Sequence, residues 1–104
     1  MEFCVIFVTA ANVKEAKKLS QALLKERLAA CVNRINKIES SYWWKGKIET
    51  ANECLLLIKS EKKLVKPLIK RVKELHSYTV PEIIVCPIVE GNPDYLNWIR
   101  ETLK

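Results

Sequence analysis

The sequence predicts an α+β domain of order β-α-β-β-α-β with a further helix at its C-terminal end. Three observations lead there. Short runs rich in Val, Ile, Leu and Phe alternate with longer stretches whose apolar residues recur at helical spacing. Two of the strand-like runs flank Lys45-Gly46 and read as one long hairpin spanning Leu28 to Ser60. Right-handed crossovers then put both main helices on one face of an antiparallel sheet, the ferredoxin-like βαββαβ sandwich.

Each element has its own justification. Glu2 to Thr9 is a compact Val-, Ile- and Phe-rich run, the first strand. Asn12 caps the helix that follows, and Glu15, three residues on, completes a capping box. Val13, Ala16, Leu19, Leu23 and Leu24 form that helix's apolar face, which ends near Arg27. In the hairpin, Ala29 to Ile35 enters as one strand and Glu53 to Lys59 leaves as another, each arm running for about 14 residues against roughly 5–6 in a common strand. The alternation changes phase at Asn36-Lys37, where a bulge is expected. Gly46 suits the turn because it accepts positive φ.

A second helix lies between Ser60 and His76, with apolar positions Leu64, Leu68, Ile69, Val72 and Leu75. Pro67 must fall in its first turn or kink it. Val80-Pro81 breaks out of the helix, and Glu82 to Val89 is the last strand, with Pro87 assigning part of it to an edge or bulge. Asn92 caps the final helix, Pro93 takes its first position, and Leu96, Ile99 and Leu103 form its buried stripe, with Trp98 also expected in the core.

A chain of 104 residues makes one domain, residues 1–104, with a real core. No apolar run approaches the ~20 residues of a membrane span. The acidic start Met1-Glu2-Phe3 lacks a basic leader, so a cytoplasmic address is expected. The net charge is +6, but Lys62, Lys63, Lys66, Lys70, Arg71 and Lys73 repeat on the outward side of the second helix, with Lys59 just before it. That pattern reads as a solvated face, with neither nucleic acid nor membrane as a partner. Cys4, Cys31, Cys54 and Cys86 fall in four different strands with no CxxC pair, and read as buried free thiols.

Two features point to self-association. A hairpin this long overhangs any sheet of this size and leaves open backbone groups. Val5 to Val8, Leu55 to Ile58 and Ile83 to Val85 are apolar on both faces, yet two helices cover only one. Another copy of the sheet is the simplest cover for the other.

In order along nearly the whole chain stand Arg27-Leu28-Ala29-Ala30-Cys31-Val32-Asn33, Ser40-x-Tyr42-x-Trp44-x-Gly46-x-Ile48, Leu57-Ile58-Lys59, His76-x-Tyr78-x-Val80-Pro81-Glu82-Ile83 and Gly91-x-x-x-Tyr95-Leu96-x-Trp98-Ile99. Together these blocks resemble the CutA family of divalent-cation tolerance proteins. The resemblance implies a trimeric ferredoxin-like subunit joined through its hairpin, a link to copper and other divalent cations, and a fold kinship with PII signalling proteins. The sequence departs from the family at Ser77, which stands where a proline is usual. Val8 occupies the position of a cysteine linked to copper in some members, and Leu75 that of a second histidine.

His76 is the only histidine, placed after a helix C-terminus, where it either caps the helix end or serves as a metal ligand or proton-transfer group. Glu82 offers a carboxylate nearby. Tyr42 and Trp44 share one face of the hairpin tip and either pack an interface or wall a small-ligand cleft, with Tyr78, Asn33 and Lys59 as further contacts. One histidine and one carboxylate are fewer than the three or four ligands of a tight site, so neighbouring subunits must complete it. No nucleophile–base pair at motif spacing and no phosphate-cradling glycine loop is present, and no enzymatic activity is expected. The expected function is a homotrimer that binds divalent metal ions, copper(II) among them, at intersubunit clefts, with no obligatory cofactor. A PII-like sensor of an anionic metabolite and a scaffold for another protein are the alternatives.

Overall fold

In the computed structural model, which describes Met1–Lys104, the chain forms one antiparallel sheet of order β2-β3-β1-β4. The strands are β1 (Phe3–Ala10), β2 (Cys31–Trp44), β3 (Lys47–Glu61) and β4 (Ile83–Pro87). The helices are α1 (Val13–Lys25), α2 (Val65–Leu75, after a 3-10 turn at Lys62–Leu64) and α3 (Pro93–Thr102). This is the expected βαββαβ order with its C-terminal helix. β4 is an edge strand and Pro87 is its last residue, so the missing N–H breaks no central ladder. Pro67 is the third residue of α2, inside the first turn, where no intrahelical donor is lost.

Side-chain alternation splits the sheet into two unlike faces. Cys4, Ile6, Val8 and Ala10 of β1, with Cys54, Leu56 and Ile58 of β3, point to one side. There they pack fully buried against Ala16, Leu19 and Leu23 of α1 and Leu68 and Val72 of α2. The opposite face is only partly covered. Phe3 and Ala30 pack at one end under Ile99 of α3 and Leu103, the residue that caps it. Beyond them Val5, Phe7, Leu55 and Leu57 are half-buried, and Ile35 and Ile84 stand 44% and 49% exposed. Trp98 departs from the expected core position: it is 45% exposed and stacks on Tyr95, ring centroids 5.4 Å apart. The last turn of α3 and its C-cap bury Ile99 and Leu103, and Trp98 looks outward because it lies one residue off that stripe.

The hairpin carries the rest of the shape. β1 pairs with β3 only over Cys54–Glu61, so residues 47–53 of β3 and their β2 partners project past the sheet. The molecule is accordingly elongated, 44 × 26 × 23 Å. Between Ile35 and Ile38 the register slips by one, placing the bulge at Asn36-Lys37 as the phase change indicates. The Asn36 carbonyl freed there accepts the Cys54 thiol at 3.0 Å. At the tip both Lys45 (φ 51) and Gly46 (φ 78) are left-handed, the signature of a type I′ turn that matches the strand twist. Of the four thiols, none is in a disulfide; Cys4 and Cys54 are buried while Cys31 and Cys86 are half-buried on the open face.

Candidate functional site

α1, the end of α2 and the base of the projecting hairpin converge on one residue. His76 caps α2, its N–H bonding to the Val72 carbonyl at 2.9 Å, as expected of a helix end. Its ring departs from expectation. The side chain is fully buried, and Nε2 donates to the Thr9 carbonyl at 2.7 Å. Nδ1 accepts from the Tyr78 N–H at 3.0 Å. A carbonyl can only accept and an N–H only donate, so these two partners fix the neutral Nε2–H tautomer. With both nitrogens engaged, the imidazole has no lone pair to offer an ion in this conformation. In this conformation His76 positions Tyr78 and the end of α2 and presents no free nitrogen.

Glu15 tightens the same knot. As N3 of α1 it sits within reach of the helix start, where the Asn12 side chain accepts from the Glu15 N–H at 2.8 Å. Its own carboxylate does not close the box on Asn12. Oε1 takes the Ala11 N–H at 3.0 Å, and Oε2 takes the Ser77 N–H at 2.9 Å. His76 Nδ1 lies 3.7 Å from Oε1. Burial opposes the charge on this group, but the hydrogen bonds from Ala11 and Ser77 outweigh it and hold the carboxyl below its ordinary range.

This frame presents Tyr78 to the hairpin. Its ring lies 4.7 Å from that of His76, and its hydroxyl donates to Glu53 Oε2 at 2.8 Å. Burial, and then the hydrogen bond to Glu53, push the Tyr78 phenol far above its ordinary value, so it remains a donor. Glu53 itself is only 8% exposed. Around this pair opens a cleft of about 710 Å³. Its walls are Thr9 of β1, Ser40, Ser41, Tyr42 and Trp44 of β2, Glu53 of β3, and Ser77 to Val80 with Glu82 from the segment leading into β4.

The structure therefore gathers Tyr42, Trp44, Tyr78 and Glu82 into one cleft and leaves Asn33 and Lys59 out of it. Those two bond to each other at the opposite end of the hairpin, where Lys59 pairs across from Cys31. Glu53 and Glu15 are site residues that sequence reasoning misses. Glu53 reads in the sequence as the entry to a strand, although it lies well inside β3; the one available signal is an acidic residue on the side of β3 otherwise occupied by Leu55 and Leu57. No group of three or more His, Cys, Asp and Glu side chains comes together within the chain, so one subunit supplies at most a partial coordination sphere.

Known proteins show the same chain pattern. A family model described as CutA1 divalent ion tolerance protein matches residues 4–102. The chain belongs to that family. It is 45% identical over 97 residues to the Thermus thermophilus divalent-cation tolerance protein CutA, covering 93% of this chain and 94% of that one. It is 47% identical over 98 residues to the mouse protein CutA, covering 94% of this chain and 55% of the mouse protein. The chain thus spans about half the length of its animal and plant relatives. Among solved structures, CutA of Xylella fastidiosa superposes with a TM-score of 0.97 at 39% identity, covering 100% of both chains. The Archaeoglobus fulgidus structure, named a periplasmic divalent cation tolerance protein CutA, gives 0.95 at 39%, covering 98% and 99%. The ferredoxin-like α+β fold is thus shared with these two solved CutA chains over nearly their whole length.

Proposed function

We propose that this CutA-family chain works without catalysis, as a homotrimer that takes divalent metal ions, copper(II) among them, into the cleft between hairpin base and β4. One observation carries this reading. The only ionisable side chains of formal charge on the cleft wall are two carboxylates, Glu53 and Glu82, in a chain whose net charge is +6. A basic protein that lines its main cleft with acids and no Lys or Arg favours a cation there and disfavours the anionic metabolite of a PII-like sensor. The removal of Lys59 from the cleft points the same way.

The donors suit the task in kind more than in number. Glu53 Oε1, the Glu82 carboxylate and the hydroxyls of Ser40 and Thr79 are oxygen ligands, adequate for weak binding of a divalent ion and below what a tight site takes. Assembly supports the remainder. The half-covered face with Val5, Phe7, Leu55 and Leu57, and the projecting hairpin, are the surfaces a second and third copy would bury. They flank the cleft, so association brings a neighbour's side chains to its rim.

Calorimetric titration with Zn(II) and Cu(II) tests the reading. The expected result is saturable, weak binding at about one ion per subunit, reduced about tenfold or more in Glu82→Gln, whose side chain is exposed and whose loss leaves the fold intact. Binding of equal strength in that variant would contradict it.

A further inference from the structure

A metal ion explains the carboxylates and hydroxyls of the cleft but neither its size nor its aromatic wall. At about 710 Å³ the cleft falls within the 300–1,000 Å³ of small-molecule pockets, whereas a water's share of liquid volume is only about 30 Å³. Three aromatic rings, Tyr42, Trp44 and Tyr78, share its wall with Glu53 and Glu82. Ring faces contribute nothing to coordinating a hydrated ion, but they attract organic ammonium groups through their quadrupole. The chain already displays that contact: Lys45 Nζ lies over the Trp44 ring, 5.9 Å from its centroid. Tyr78 is held in advance by the His76 ring, tilted 49° against its own at 4.7 Å, and by its hydroxyl bond to Glu53, which removes part of the ordering cost of binding.

We infer that this cleft binds an organic ammonium ion, its charged nitrogen seated between the Glu53 and Glu82 carboxylates and the Trp44 and Tyr78 rings, with the hydroxyls of Ser40, Ser77 and Thr79 as acceptors for its N–H groups. The inference rests on the cation-binding reading of the same cleft and extends it from inorganic to organic cations. Two carboxylates with no Lys or Arg beside them on the wall favour a doubly charged ligand, whose second ammonium adds to the attraction that seats the first. Trp44 supplies the element by which an organic cation is told from a metal ion.

Calorimetry on the assembled protein decides it, with 1,4-diaminobutane as the probe and 1,4-butanediol as its neutral isostere, each alone and in competition with Zn(II). The expected result is saturable diamine binding at one per subunit, no heat from the diol, and displacement of the diamine by Zn(II). Trp44→Leu, which keeps an apolar side chain at the hairpin tip, should weaken the diamine about fivefold to tenfold and leave Zn(II) affinity unchanged. Glu82→Gln should weaken both, and serves as the probe should Trp44→Leu fail to assemble in sedimentation. Zn(II) binding with no diamine binding, or diamine and diol binding alike, would overturn the inference and leave the metal reading standing. Diamine binding without Zn(II) binding would uphold the inference and overturn the metal reading. Failure of both cations would overturn both, a neighbour's side chains filling the cleft being the structural form of that result.

Discussion

Replacing Glu15 by Gln tests whether one carboxylate ties the start of α1 to the loop that builds the cleft. The two oxygens of Glu15 accept from two backbone N–H groups, Ala11 at 3.0 Å and Ser77 at 2.9 Å. A glutamine has one carbonyl oxygen and one NH2, so one of those backbone donors would face another donor. Losing a hydrogen bond to a charged, nearly buried acceptor costs about 1.5–3 kcal/mol. Losing the negative charge in the first turn of α1 adds about 0.3–1 kcal/mol. The sum, about 2–4 kcal/mol, corresponds to a fall of ~1–2 M in the urea midpoint for an m-value in the common range. Unfolding is coupled to any dissociation, so both proteins are compared at one subunit concentration.

The pH dependence gives the sign. The carboxyl of Glu15 is held below its ordinary value of 4.5 in the folded chain. Its stabilisation is therefore complete above 4.5 and is lost as the pH falls through the lower, folded-state value. The wild-type advantage over Glu15→Gln should be full at pH ~7 and shrink in acid. A difference under about 0.5 kcal/mol near neutral pH, within the range of an ordinary surface substitution, would refute the tie, as would a difference that widens in acid.

The remaining predictions concern the turn, the thiols, the buried tyrosine and the core. Gly46→Ala should cost about 1–2 kcal/mol in thermal or urea unfolding, because the position is left-handed while nothing lies within 4 Å of the added Cβ; an unchanged midpoint would refute the turn assignment. Burial raises the pKa of both the Cys4 and Cys54 thiols, so a thiol reagent should leave them unmodified in the native protein. Cys31 and Cys86, half-buried on the open face, should react in single subunits; native labelling of all four would contradict the fold. Tyr78→Phe strips Glu53 of its donor and should cost about 1.5–3 kcal/mol in urea unfolding. Because the Tyr78 phenol stays protonated through its ordinary value of 10.0, wild type and Tyr78→Phe should show the same phenolate absorbance there. Leu56→Ala, at a fully buried centre of the sheet, should destabilise by about 2–5 kcal/mol; a loss below ~1 kcal/mol would misplace the core.

Local signals in this chain are legible and long-range ones are not. The hairpin, its bulge at Asn36-Lys37 and the cap at Asn12 all follow from a few adjacent residues, since phase changes and capping are short-range effects. Glu15 looks complete as a capping-box residue, but its second oxygen reaches Ser77, 62 positions away, a contact with no trace in spacing. The helix-end position of His76 is readable; its burial is not, because that depends on the Thr9 carbonyl meeting its ring from another element. Lys59 and Asn33 group with the aromatic tip in sequence because all lie on the hairpin. Along an arm of 14 residues at about 3.3 Å each, the two ends are far too distant to share a cleft. Glu53 is the opposite case: an ordinary strand residue by sequence that register brings under Tyr78.

The most direct test is an anomalous difference map from crystals of the assembled protein soaked in Zn(II). The expected peak lies about 2.0–2.2 Å from a Glu53 or Glu82 carboxylate oxygen, at a boundary between subunits, with the His76 ring still bonded to Thr9 and Tyr78. A peak on a His76 nitrogen released from those partners would contradict it, as would a cleft that excludes zinc altogether.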